Sequence, residues 1–164
     1  MTDRTTPPTL LDSPPMPVQA KLAAAWTSLM FLILYIDYFH LYQPGEIDEI
    51  RGGRIFAFEI SGTLMTIFFA IIAIPTLMVL LSVVLPARAN RTTNLAVGLL
   101  YIPICVFNAA GATPDFTLYY VVTIGVEVLI LGFIVRSAWT LDSLRSSRST
   151  VAASHVADRP RQRL

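Results

Sequence analysis

Charge is scarce in this chain. Of its 164 residues 14% are Asp, Glu, Lys or Arg and 54% are hydrophobic, where an average soluble domain carries roughly 25% charged residues. Too few polar side chains remain to cover a water-soluble surface, so much of the outside is expected to face lipid. Cysteine is nearly absent: the single Cys105 excludes an intramolecular disulfide and any multi-cysteine zinc or iron–sulfur site. Histidine is limited to His40 and His155, and no HExxH, paired ExxH or Cys/His spacing occurs. No metal and no cofactor is therefore predicted, and a bis-histidine haem has no second histidine within the apolar part of the chain. Excess charge of one sign is missing too, with 12 Lys and Arg against 11 Asp and Glu, so a nucleic-acid partner is not expected.

What is present is four long apolar runs between two polar tails. Residues 1–20 hold prolines at 7, 8, 14, 15 and 17 among Thr, Ser and Asp, and read as a disordered tail. They lack the basic start leading into a short apolar stretch that marks a cleavable signal peptide. Residues 143–164 are rich in Ser, Arg and Ala without hydrophobic periodicity, and read as a second, basic tail that contacts anionic lipid. Between them, residues 21–142 form the expected transmembrane domain, with helices at about 22–42, 58–86, 92–111 and 116–140. Only helices or closed barrels satisfy the backbone in lipid, and these runs lack the alternation of barrel strands. The fold class predicted is therefore all-α, a four-transmembrane-helix bundle.

Ten of the 12 basic residues fall on one side if both termini are cytoplasmic: Arg4, Lys21, Arg88, Arg91, Arg136, Arg145, Arg148, Arg159, Arg161 and Arg163. Only Arg51 and Arg54 fall outside, so the positive-inside rule predicts an N-in, C-in multi-pass protein of a bacterial inner membrane. Tyr35, Tyr38, Tyr42, Phe56, Tyr119 and Tyr120 then cluster at outer helix ends, and Trp26 and Trp139 lie towards inner ends, as interfacial aromatics do.

Membrane helices meet through small and polar residues at helical spacing. Such seams are predicted along Gly62, Thr66, Ala70 and Ala73; along Asn94, Gly98, Tyr101, Cys105, Asn108 and Ala112; along Tyr120, Thr123 and Glu127; and along Thr27, Met30, Asp37 and His40. Pro75 and Pro103 each remove an intrahelical donor, which leaves the carbonyls of Ile71 and Leu99 short of their usual partner.

Glu127 is the most informative residue. A carboxylate at the centre of a bilayer helix costs on the order of 3 kcal/mol, so it is expected to be protonated or paired and to face the bundle interior. One reading is structural: a protonated Glu127 donating to a carbonyl freed by Pro75 or Pro103. The other is functional, an intramembrane proton relay or cation site with Asp37, His40, Glu59 and Asn108 as an outer polar path beside Tyr119 and Tyr120. Each of those four also has a structural explanation: Asp37 pairing with His40 at i+3, Glu59 opening the second helix among headgroups, Asn108 bridging helices. The loop at 43–56 starts with a Pro-Gly turn, and Ile47 and Ile50 fit a short amphipathic turn on the membrane surface.

The stretches Tyr35-Ile-Asp-Tyr38, Ile74-Pro-Thr-Leu-Met-Val-Leu-Leu-Ser82 with Ala87-Arg-Ala-Asn-Arg91, Thr113-Pro114, and Glu127 with Ala138-Trp139 resemble a family of small bacterial four-helix membrane proteins of unknown function. That resemblance covers about residues 21–141 and implies the architecture but no catalytic residues. Size and helix count also resemble the DoxX-like membrane proteins, an architectural analogy. Three functions follow as expectations: a non-enzymatic multi-pass membrane protein, alone as a homo-oligomer or with a membrane partner subunit; a small proton- or cation-coupled carrier using Glu127; and a quinone-associated redox subunit.

Overall fold

The computed structural model describes residues 16–107 and 114–140. Four long helices alternate in direction. Helix α1 (Val18–His40) is followed by the six-residue α2 (Glu46–Arg51), a two-stranded hairpin of β1 (Arg54–Ile55) and β2 (Phe58–Glu59), then α3 (Gly62–Val84), α4 (Ala87–Phe107) and α5 (Thr117–Thr140). Three helices are long and apolar enough to cross a membrane by length and composition: Val18–His40, Gly62–Val84 and Pro114–Thr140, the last including the 3-10 turn that leads into α5.

Local chemistry sets the boundaries. Gly45 takes the left-handed conformation, φ 93°, at the turn into α2. The Ser61 hydroxyl caps α3 by accepting from the Leu64 N–H at 3.2 Å. This start lies four residues later than expected, because residues 54–59 are taken up by the antiparallel hairpin, in register Arg54 with Glu59 and Ile55 with Phe58. Leu85, which precedes Pro86, is extended at ψ 143°, as the clash with the proline ring requires, and the chain then turns directly into α4. Helix α4 thus begins five residues before the apolar run alone suggests and takes Arg88 and Arg91 into its first two turns.

Helix α1 packs against α3 and α5, α4 packs against α5, and α3 and α4 touch only lightly. The core is drawn from Leu22, Trp26, Leu29 and Ile33 of α1, Met78 of α3, Tyr101 and Cys105 of α4, and Leu131, Ile134 and Ala138 of α5. The outside is the more apolar surface: Phe69 is 73% exposed and Leu129 73%, whereas Asn90 and Asn94 are fully buried. That inversion is what lipid-facing helices require.

The predicted seam on α4 is where contact occurs, since Asn94, Gly98, Tyr101 and Cys105 are all buried. On α3 it is not. Gly62, Thr66 and Ala70 are exposed, and the contact face is Pro75, Met78 and Ser82 instead. On α1 the face carrying Thr27, Met30 and Asp37 lies beside the buried stripe, which larger apolar side chains occupy. Trp26 is another correction: it is no interfacial anchor but a fully buried core residue.

Candidate functional site

Three polar centres lie along the bundle. The first, near the start of α1, joins three helices. Trp26 Nε1 donates to Asn94 Oδ1 at 2.7 Å, and the Ser82 hydroxyl donates to the same oxygen at 3.2 Å. Asn94 Nδ2 reaches the Asn90 carbonyl at 2.9 Å and Asn90 Oδ1 at 2.5 Å, while Asn90 Nδ2 donates to the Ser82 carbonyl at 2.6 Å. Every one of these groups is buried, so each bond replaces one that water cannot supply. Trp26, Ser82 and Asn90 do not stand out in the sequence, because Trp and Ser also suit the lipid interface; the i, i+4 pair Asn90 and Asn94 is the signal the sequence offers.

The second centre contains Glu127. Its side chain is 1% exposed in the middle of α5, and it interacts with the thiol of Cys105 of α4. Its Oε1 has no hydrogen-bond partner among the described residues. The expected bond to the carbonyl that Pro75 frees is not made by Glu127: the Tyr101 hydroxyl donates to the Ile71 carbonyl. Tyr101 lies one turn below Cys105 on the same face of α4, and its ring packs edge-on against Trp26 at 6.1 Å and 88°. Asp37 is near enough to Glu127 for the two carboxyl groups to interact electrostatically.

The third centre is at the far end of α1. His40 Nδ1 and the Tyr120 hydroxyl are 3.1 Å apart, Gln43 Nε2 donates to that hydroxyl at 3.2 Å, and His40 Nε2 lies 3.1 Å from Glu46 Oε2. Phe56 stacks on the imidazole at 4.9 Å. The Tyr119 hydroxyl donates to the Ile36 carbonyl at 3.1 Å, so both tyrosines tie α5 to the end of α1. Beyond the helix, the exposed Tyr42 hydroxyl donates to Tyr38 at 2.6 Å, and that bond pushes the Tyr42 phenol above its ordinary pKa.

Of the five candidate residues, the structure thus places Glu127 in the core with Asp37 in its electrostatic reach, and His40 at the junction of α1, α2 and α5. His40 is held by Glu46 and Tyr120, and its imidazole also lies within electrostatic reach of Asp37, without a hydrogen bond between the two. Glu59 is exposed in β2 and does not open a helix. Asn108 lies outside the described residues, as do residues 1–15 and the basic tail at 143–164, whereas Val18, Gln19 and Ala20, expected in the N-terminal tail, form the first turn of α1. No group of three His, Cys, Asp or Glu side chains among the described residues is placed to hold a metal ion.

The class this defines is an all-α bundle in which three helices are long and apolar enough to cross a membrane and the polar side chains are gathered into a buried seam. More particularly, residues 17–146 match the model of the Family of unknown function (DUF6326), and the chain belongs to that family. No curated protein and no solved structure matches the chain.

Proposed function

We propose that the chain is a non-enzymatic integral membrane protein of a bacterial inner membrane with four spans, α4 being the fourth, and both termini in the cytoplasm. Beyond Arg91 the described part of α4, Thr92 to Phe107, reaches about 24 Å at ~1.5 Å per residue, most of a hydrocarbon core of about 30 Å. Arg88 and Arg91 then lie at its cytoplasmic end, where Arg91 sits 5.0 Å over the Trp139 ring of α5.

Within that frame Glu127 is the working group, a carboxyl that exchanges a proton or holds a small cation inside the bundle. The observation that carries this is Oε1, buried and unpartnered on a side chain that is 1% exposed, because a fully structural carboxyl has both oxygens satisfied. A dimer would supply a longer path than four spans offer alone.

Proteoliposomes holding an internal pH dye test the reading. Under an imposed pH gradient, wild-type protein is expected to collapse the gradient faster than empty vesicles, and Glu127→Gln is expected to match the empty vesicles with unchanged thermal stability. Equal flux in wild type and variant would remove Glu127 from any relay. Topology is checked by labelling Glu49→Cys and Ser143→Cys, each in a Cys105→Ala background, with a membrane-impermeant maleimide. Only the Glu49→Cys site should react in intact cells.

A further inference from the structure

Helices α1 and α3 pack together and leave a surface groove of about 490 Å³ along one side of their contact, which Thr27, Met30, Phe31, Asp37, Ile72 and Thr76 help to line. That volume is within the range of about 300 to 1,000 Å³ found for small-molecule sites. From Thr27 to Asp37 the groove follows α1 for about 15 Å at ~1.5 Å per residue. Its walls are apolar except for two threonines and one carboxylate, and the threonines are occupied: Thr27 donates to the Ala23 carbonyl at 2.9 Å, and Thr76 to the Ile72 carbonyl at 2.8 Å.

Asp37 stands apart from these. It is exposed to the groove and has no hydrogen bond or ion pair among the described residues. The groups facing it offer no fixed positive charge: Tyr119 and Glu127 of α5 lie within its electrostatic reach, and His40 on its own helix is engaged by Tyr120 and Glu46. Asp37 lies one turn from the outer end of α1, between the interfacial Tyr35 and Tyr38, where a carboxylate at the edge of the hydrocarbon attracts a cation into the groove beside it. An inorganic ion such as Na⁺ or Mg²⁺ needs a shell of oxygen ligands that an apolar wall lacks. An organic cation whose charge is spread over a hydrophobic body loses little hydration on entering, and meets the ring of Phe31 and the thioether of Met30 as well as the carboxylate.

We propose that this groove binds a hydrophobic monovalent organic cation, with Asp37 as its counter-ion. The proposal rests on the reading of α1 and α3 as membrane spans and is independent of any role for Glu127. Equilibrium dialysis of the detergent-purified protein against tritiated tetraphenylphosphonium tests it. Saturable binding near one per chain is expected, weakened at least about tenfold in Asp37→Asn. Ile72→Trp fills the groove but keeps the carboxylate, and should weaken binding comparably even if Asp37→Asn folds poorly. Glu49→Gln removes a carboxylate of α2 outside the groove and should leave binding unchanged, and neutral tetraphenylmethane should not compete. Binding that survives both Asp37→Asn and Ile72→Trp, or displacement by the neutral analogue, would overturn the proposal. So would a Leu34→Cys disulfide dimer in a Cys105→Ala background that forms without added probe and covers the groove. A protein that resists carbonate extraction from membranes but fails to bind sinks the groove proposal alone; one released by carbonate sinks the membrane reading beneath it.

Discussion

Tyr101 donates its hydroxyl to the Ile71 carbonyl, the carbonyl of α3 that Pro75 deprives of its helical donor. A helix break in one element is thus repaired by a side chain of another. Tyr101→Phe should lower stability by about 1 to 2 kcal/mol, read as an earlier thermal transition in detergent. In a Pro75→Ala background the carbonyl regains its own N–H partner, so the same substitution should cost clearly less. Equal costs in the two backgrounds would show that the bond is energetically idle.

Asn94 gathers more bonds than any other side chain in the core, accepting from Trp26 and Ser82 and donating to Asn90. Asn94→Leu keeps the volume but leaves the Trp26 N–H and the Ser82 hydroxyl buried without partners, at a cost of about 1 to 3 kcal/mol. Trp26 emission, followed in a Trp139→Phe background during denaturant titration, should report an earlier midpoint.

These centres also mark what could be read in advance. On α4 the small and polar residues are few and recur at steps of three and four, so Asn94, Gly98, Tyr101 and Cys105 identify their face without help. Helix α3 is apolar on every side, and periodicity then carries no information: a glycine or alanine is as compatible with lipid as with a neighbour. Its contact face is hidden in Pro75 and Ser82, whose meaning depends on Tyr101 and Asn94 of the next helix. Trp26 and Trp139 look alike in sequence, near the same end of the bundle, yet one is fully buried and the other 65% exposed. The difference is made by Asn94, a residue on a third helix. Glu127 was legible because a carboxyl in an apolar run is costly wherever it points.

Gly98 sets the approach of α4 to α5. A Cβ at that position would lie 3.2 Å from Val135 Cγ2 and 3.6 Å from Ile134 Cγ2, so alanine requires Val135 to give by a few tenths of an ångström. Better helix propensity offsets that, and Gly98→Ala should change stability by no more than about 1 kcal/mol. Gly98→Leu has no such room and should cost about 1 to 3 kcal/mol through forced separation of the helices. Thermal transitions of the two variants check the contrast; equal stability would mean that α4 and α5 are not held by close packing at this point.

His40 is the junction through which the α1–α3 connection is held down. Its two ring nitrogens face Tyr120 and Glu46 at 3.1 Å each, and its face carries Phe56. His40→Ala removes all three contacts, whereas Tyr120→Phe removes only one of them together with the bond from Gln43. Arg51 and Arg54 are exposed in this segment and serve as reporters, because trypsin cuts a chain that opens locally. When opening is fast relative to cleavage, the rate follows the open population, so a loss of about 1 to 2 kcal/mol raises cleavage roughly 5- to 30-fold. That rise is expected for His40→Ala at Arg51 and Arg54, with a smaller one, about 2- to 5-fold, for Tyr120→Phe, which loses about 0.5 to 1 kcal/mol. Glu46→Gln should fall with Tyr120→Phe, since the imidazole keeps its tyrosine and its stacked ring. If His40→Ala is cut no faster than wild type, the segment is held by the Ile55–Phe58 hairpin and α2 themselves, and His40 is a passenger.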